Sequence, residues 1–260
     1  MSPVNEFLNA VTVCVEYDDI LSITAPRNRP YFNRHLIVTD QATAPRLTKL
    51  AEEQRLDVLV TTAFYEGGAD FNKWLALEQG IDAVGRAGWL CILDADILLP
   101  NDMFFLPRIM RPGFIYTPRR RMMPEIPASE HEVPHEADWG AFPVHPNSVE
   151  WAGYCQIFHA DDPALGPAPW HQVDWRHAGG ADSFFQAKWR HELKVRPPFY
   201  CLHLGPSGEN WCGRVTPRTD GTTPPQAADR LGRLQGYLRG RRQCGRNQQY
   251  ANERLPPPQA

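Results

Sequence analysis

The amino-acid sequence predicts an α/β fold: a parallel sheet with helices on both faces. Three observations predict it. Strand-like and helix-like segments alternate through the first 100 residues. The strand-like segments are continuous apolar runs rather than alternating ones, the pattern of strands buried on both faces. Each run also ends in polar residues, so four strand ends bring Tyr17 with Asp18 and Asp19, Asp40, Thr61 with Thr62, and Asp94 with Asp96 to one edge. Open α/β sheets gather their ligands at that edge.

The elements follow in order. VTVCVEY (11–17) is a β-rich run ended by Asp18 and Asp19, and RHLIVTD (34–40) is a second, ended by Asp40. Residues 42–54 have helix-forming composition, with Pro45 in the first turn where a missing N–H does least harm. LDVLVTT (56–62) is a third strand, followed by a polar loop with Gly67 and Gly68. FNKWLALEQGIDAVGRAG (71–88) spaces Trp74, Leu75, Leu77, Ile81 and Val84 as a helix does, and WLCILDADILL (89–99) is the fourth strand. The second half is loop-rich. GFIYTPRRRMM (113–123) and GYCQIFHA (153–160) read as single strands between proline- and histidine-rich loops. GGADSFFQAKWRHEL (179–193) turns at its glycines and continues as a helix, KVRPPFYCLHLG (194–205) is β-rich, and PSGENWCGR (206–214) is turn-rich. One short helix (226–239) is expected in the remaining polar segment, whose PPP ending reads as disordered.

Composition narrows the function classes. At 260 residues the chain can bury a substantial core, and 42% apolar with 22% charged residues is the balance of a soluble globular protein. A net charge of −3 indicates no polyanion partner, but residues 214–254 hold nine arginines against Asp220, Asp229 and Glu253, a local formal charge of +6. Cys14, Cys91, Cys155 and Cys201 lie in apolar runs, as small buried hydrophobes do, and there is no CxxC pair. No apolar run approaches the roughly 20 residues that cross a bilayer. The expectation is a reduced, cytoplasmic protein with no membrane span. Residues 1–214 are expected to form one domain and 215–260 a partly disordered, arginine-rich extension.

The chemistry concentrates in WLCILDADILLP (89–100), an apolar run with two aspartates one residue apart. In a strand, Asp94 and Asp96 face the same way, and like charges that close repel unless a cation joins them. Two readings stand. The strand ends near Asp94 and both aspartates are solvated turn or cap residues, or the pair is a hard-cation site for Mg²⁺ or Mn²⁺, which combine one or two carboxylates with substrate phosphates.

The order VTVCVEY, RHLIVTD, LDVLVTT, FNKWLALEQGI, GWLCILDADILLP resembles the nucleotide half of the GT-A fold glycosyltransferases, over about residues 10–214. The resemblance implies a Rossmann-type mixed sheet, a nucleotide-diphosphate sugar (a UDP-sugar first) as donor, and Mn²⁺ or Mg²⁺ at the D-x-D. Asp96 is then the direct metal ligand, and Asp94 a ligand through water or a contact to the ribose. His203 in YCLHLGPSGENW matches a downstream histidine ligand, with Trp211 eight residues on; as an alternative it is an ordinary strand-end histidine. Members with this segment carry a lysine near the tryptophan; here Glu209 and Asn210 stand there, and Arg214 is the candidate for the missing charge. For the base, the resemblance points to Tyr17 as a stacking ring and Asp40 as acceptor of a ring N–H. Asn72 and Lys73 open the helix before the D-x-D strand, and Lys73 is one of only four lysines in the chain. A solvated Asp40, a capping Asn72 and a surface Lys73 are the alternatives.

GGADSFF (179–185) matches in place the acidic motif over the sugar, which makes Asp182 the candidate general base, or a helix cap. Trp151, Tyr154, Trp170, Trp175 and Trp189 surround this region as core or stacking residues. The favoured acceptor is a hydroxymethylated pyrimidine in phage DNA, with Arg119, Arg120, Arg121 and the arginine-rich end tracking phosphates. A surface polysaccharide or small-molecule acceptor, and a non-catalytic nucleotide- or nucleic-acid-binding module, are the alternatives.

Overall fold

The computed structural model describes residues 8–145, 153–206 and 208–239. The fold is α/β, with a seven-stranded mixed sheet in the order β3-β2-β1-β4-β8-β6-β9 and a second, three-stranded sheet β5-β10-β7. The strands are β1 (Leu8–Val13), β2 (Arg34–Thr39), β3 (Asp57–Val60), β4 (Trp89–Leu93), β5 (Ile97–Leu98), β6 (Ile115–Tyr116), β7 (Arg119–Met123), β8 (Cys155–His159), β9 (Lys194–Val195) and β10 (Tyr200–Leu204). The helices are α1 (Asp18–Asn28), α2 (Ala44–Gln54), α3 (Lys73–Val84), α4 (Ala181–Gln186) and α5 (227–239).

The first half is parallel, as the apolar runs imply: β1 pairs with β2 and β4, and β2 with β3. The pleat sorts the side chains. Val11, Leu36, Val38, Leu90 and Ile92 pack with Trp74, Leu77 and Ile81 of α3, whereas Ile37 packs with Leu21 and Ala25 of α1 and Leu47 of α2 on the opposite face. Strand β8 joins β4 antiparallel and makes the sheet mixed.

Helix α1 is absent from the sequence-based prediction. Its buried residues point two ways: Leu21 and Ala25 face the sheet, whereas Ile20 and Ile23 pack against Leu98 and Leu202 of the second sheet. A helix buried on two sides loses the one-sided apolar stripe that announces it, and Pro26 within it suppresses the prediction further.

Two runs predicted as single strands, and a third read as β-rich, are each divided between the two sheets. Residues 89–99 break into β4 and β5 at Asp94–Asp96, residues 113–123 into β6 and β7 at Thr117–Pro118, and residues 194–205 into β9 and β10 at Arg196–Pro198. Asp94 and Asp96 therefore do not share a strand face. They sit in the turn at the seam of the sheets, where Asp94 N–H donates to Tyr154 O (2.9 Å) and Leu204 N–H donates to Asp96 O (2.9 Å).

Cys14, Cys91, Cys155 and Cys201 are free and buried, as is Cys212. Among the described residues no helix is long and apolar enough to cross a membrane. Trp151, the PPP ending and the arginines beyond 239 lie outside the described residues.

Candidate active site

A cavity of about 440 Å³ opens at the carboxyl ends of β1 and β4. These are the strands between which the order 3-2-1-4 reverses, the crevice where open α/β sheets bind ligands. The cavity is lined by the end of β1 and the residues after it (Val13, Val15, Tyr17), the Asp94–Asp96 turn and the head of α3 (Lys73, Trp74), together with Arg120, Gly153, Tyr154, Gly180, Asp182, His203 and Trp211. Tyr17, Lys73, Asp94, Asp96, Asp182, His203 and Trp211, scattered over 195 positions of sequence, thus share one cavity.

Asp96 is half-buried, and one of its oxygens, Oδ1, is buried without a hydrogen-bond partner. Burial pushes its carboxyl pKa up, against the pull of the Arg120 and Lys73 charges. His203 Nδ1 contacts Gly205 O at 3.0 Å. A carbonyl only accepts, so Nδ1 carries the proton and the neutral ring presents a bare Nε2. Burial, then the Arg120 charge, holds the His203 pKa down to about 3. Nε2 stands 3.6 Å from Asp96 Oδ2. Two lone-pair donors thus face each other with a third, unsatisfied oxygen beside them.

The described residues contain no group of three or more His, Cys, Asp or Glu side chains placed to hold a metal. Asp94 is engaged, accepting from Lys73 Nζ at 2.5 Å. The Asp96–His203 couple fits a divalent cation that takes its remaining ligands from phosphate oxygens and water.

Asp182 is held from two sides: Gly153 N–H donates to Oδ2 (2.7 Å) and Ser183 N–H to Oδ1 (3.0 Å). It is the second residue of α4, whose N-cap is Gly180, so it is not the cap. Gly153 allows the approach: a Cβ there would lie 2.6 Å from the Asp182 Cβ. Gly179 similarly lies flat on the Trp211 indole, which a Cβ would meet at 2.3 Å.

Three predicted ligand residues are engaged outside the cavity lining. Asp40 accepts from Thr43 N–H (2.8 Å) and Tyr65 OH (3.2 Å), closing the turn before α2. Asn72 caps α3, accepting from Leu75 N–H (3.0 Å) and donating to Val173 O (2.6 Å). Arg214 is fully buried; it pairs with both oxygens of Asp19, donates to Glu16 O, Thr216 O and Pro217 O, and lies 4.9 Å from the Tyr17 ring centroid. It does not line the cavity; it backs the Tyr17 ring, whose hydroxyl accepts from Asn210 Nδ2 (2.5 Å), and its charge reaches Asp96 from behind that wall.

Among the described residues, most of the arginines expected to track phosphates are held by groups of this chain. Arg119 contacts Tyr200 OH, and Arg121 donates to Gly140 O and Phe142 O. Arg218, Arg230 and Arg233 pair with Asp18, Glu16 and Asp70, and Tyr237 OH donates to Asp70 (2.7 Å), so the segment set apart as an extension is tied to the body as far as 237. Among the described residues, the arginines of 214–233 neutralise carboxylates of this chain.

Gly153 was not singled out from sequence; Asn210 was noted only as standing where a lysine was expected, and Arg120 only as one of three arginines tracking nucleic-acid phosphates, not as a cavity residue. The signal for Arg120 was the strand period: in RRRMM the middle arginine takes the face opposite its neighbours.

No family model matches the chain, and no curated protein matches it. Among solved structures, the chain is similar to glucosyl-3-phosphoglycerate synthase from Mycobacterium tuberculosis, solved with Mn²⁺, UDP and glucosyl-3-phosphoglycerate (13% identity, 88% of this chain and 76% of that one, TM-score 0.44). It is also similar to a 4-diphosphocytidyl-2C-methyl-D-erythritol synthase from Anaerococcus prevotii (10% identity, 90% and 96%, TM-score 0.43). Likenesses at this level leave the chemistry to be argued from the residues themselves.

Proposed function

We propose that this chain is a metal-dependent glycosyltransferase, moving a sugar from a nucleotide-diphosphate sugar, a UDP-sugar first, to an acceptor hydroxyl. One observation carries the reading: the Asp94–Asp96 turn, the bare Nε2 of His203 and the braced carboxylate of Asp182 converge on one cavity at the switch point of the sheet. A nucleotide-binding module without catalysis has no use for a braced carboxylate lining the same cavity as a metal-ligand couple.

In this reading Tyr17, backed by Arg214, offers its ring to the base. Asp96 and His203 hold Mn²⁺ or Mg²⁺, which supplies Lewis-acid stabilisation to the departing diphosphate when bound. Lys73 holds Asp94 in place while adding positive charge to the cavity. Asp182, with both oxygens oriented by backbone N–H groups, accepts the proton of the acceptor hydroxyl as its oxygen bonds to the anomeric carbon. The bond from that carbon to the diphosphate breaks and its electron pair leaves with the diphosphate. The acceptor is a hydroxyl compound small or extended enough to reach Asp182. The paired state of the arginines at 214–233 favours a non-nucleic-acid acceptor over DNA.

The test is release of nucleoside diphosphate from a panel of UDP-, GDP-, CDP- and dTDP-sugars with Mn²⁺, Mg²⁺ or chelator. Metal-dependent release from at least one donor is expected. No release from any donor, together with no Mn²⁺-dependent UDP binding, overturns the reading.

A further inference from the structure

The cavity contains a cation that no carboxylate pairs among the described residues. The Lys73 ammonium is taken by Asp94 at 2.5 Å. Arg120 is different. The pleat of β7 turns Arg119 and Arg121 to the outer face, where Tyr200 and two backbone carbonyls receive them, and turns Arg120 inward to the cavity. Its guanidinium lies 4.4 Å from the Tyr154 ring centroid, and that ring is pinned by a hydroxyl donating to Pro118 O at 2.5 Å. Its Nε is buried and has no hydrogen-bond partner. A buried donor of this kind costs free energy unless something accepts from it.

What would satisfy it is set by chemistry. The guanidinium is a planar fork that is always charged and matches a phosphate or carboxylate edge. The cavity carboxylates do not supply that edge: Asp94 is with Lys73, Asp182 is braced by Gly153 and Ser183, and Asp96 faces His203. Cation–π stacking on Tyr154 holds the fork in place before any ligand arrives.

We propose that Arg120, stacked on Tyr154, is an anion-binding residue of the cavity, taking a phosphate-type oxyanion of a ligand by a charge-assisted fork. The site rests on geometry of its own, but its place in catalysis rests on the transferase reading. The oxyanion has two sources there, the donor's diphosphate or a phosphate carried by the acceptor.

The experiment is calorimetric titration, without added metal, of wild type, R120Q and R120K with pyrophosphate, UDP, uridine, glycerol 3-phosphate and glycerol. Wild type is expected to bind at least one phosphate-bearing probe more tightly than its phosphate-free counterpart. R120Q should weaken that binding by about ten-fold or more, with uridine unchanged, and R120K should recover part of it as a point charge without the fork. Weakening of pyrophosphate and UDP assigns the donor diphosphate; weakening of glycerol 3-phosphate alone assigns an acceptor-borne phosphate. Wild type showing no preference for the phosphate-bearing probes, or R120Q binding every probe as wild type does at an unchanged denaturation midpoint, overturns the proposal. Arg120-dependent anion binding without turnover of any nucleotide sugar would instead overturn the transferase reading and leave the anion site standing.

Discussion

His203 Nε2 and Asp96 Oδ2 face each other across 3.6 Å with no proton assigned between them, because the imidazole's one proton is on Nδ1 and donated to Gly205 O. The residues come from different strands of the second sheet's neighbourhood, His203 from β10 and Asp96 from the turn before β5, and the pairing of His203 with Ile97 fixes their approach. A cation between them would relieve the opposition. Mn²⁺ is therefore expected to tighten UDP binding about ten-fold or more in wild type, and Asp96→Ala or His203→Gln to remove the gain. Calorimetry with UDP, with and without Mn²⁺, reads it. An unchanged metal dependence in both variants would refute the assignment.

Arg214 and Asp19 form a second checkable pair. The guanidinium is fully buried and five acceptor atoms receive it. Removing one partner of such a pair strands the other charge, at about 3–5 kcal/mol. Arg214→Met should lower the unfolding free energy by that order in urea denaturation. UDP affinity should also fall, because the Tyr17 ring loses its backing. The double variant Arg214→Met/Asp19→Asn should cost less than the two single costs combined.

The parts of this fold legible in the sequence were those whose signal is local. β1, β2, β3, β4 and α3 each announce themselves through their own apolar pattern, and α2 through its helix-forming composition. The second sheet did not, because membership of a sheet is set by the partner strand. The apolar runs 89–99, 113–123 and 194–205 stay apolar while bending from one sheet to the other. The same limit governs the site. Asp94, Asp96, Lys73, His203 and Asp182 were visible as polar residues at element ends, and the fold gathers them. Asp40, Asn72 and Arg214 carry the same local signature, yet one closes a turn, one caps a helix and one fills a buried ion pair. Only tertiary contacts separate a ligand-facing aspartate or arginine from a structural one.

His35 gives a prediction about pH. It lies on β2 beneath the sheet with Nε2 2.9 Å from Thr12 Oγ1, and burial, then the Arg29 charge, holds its pKa down to about 3. The unfolded chain takes up this proton near pH 6.5, whereas the native state does not until about pH 3. Between those limits the unfolded state binds more protons, so this contribution to stability is present above pH 6.5 and is lost as pH falls. From pH 6 to pH 4 the loss is about 2–3 kcal/mol. His35→Gln keeps a polar partner for Thr12 and cannot titrate, so its unfolding free energy should fall less over the same interval. Parallel pH profiles for the two proteins would refute this.

On the proposed transferase reading, Asp182 governs the stereochemistry of transfer. Its carboxylate is oriented by the Gly153 and Ser183 N–H groups, and the missing side chain at Gly153 leaves room for it. If it is the general base, Asp182→Asn keeps the shape but cannot take the proton, and kcat should fall about 100- to 10,000-fold with the affinity for UDP within a few-fold of wild type. Gly153→Ala, whose Cβ would come 2.6 Å from the Asp182 Cβ, should displace the carboxylate and lower kcat in the same direction without removing the acid. The anomeric configuration of the product reads the role directly: inversion is the outcome expected of a base on the far side of the anomeric carbon from the diphosphate. Retention of configuration would leave Asp182 as a holder of sugar hydroxyls, and the loss in Asp182→Asn would then appear chiefly in KM for the donor.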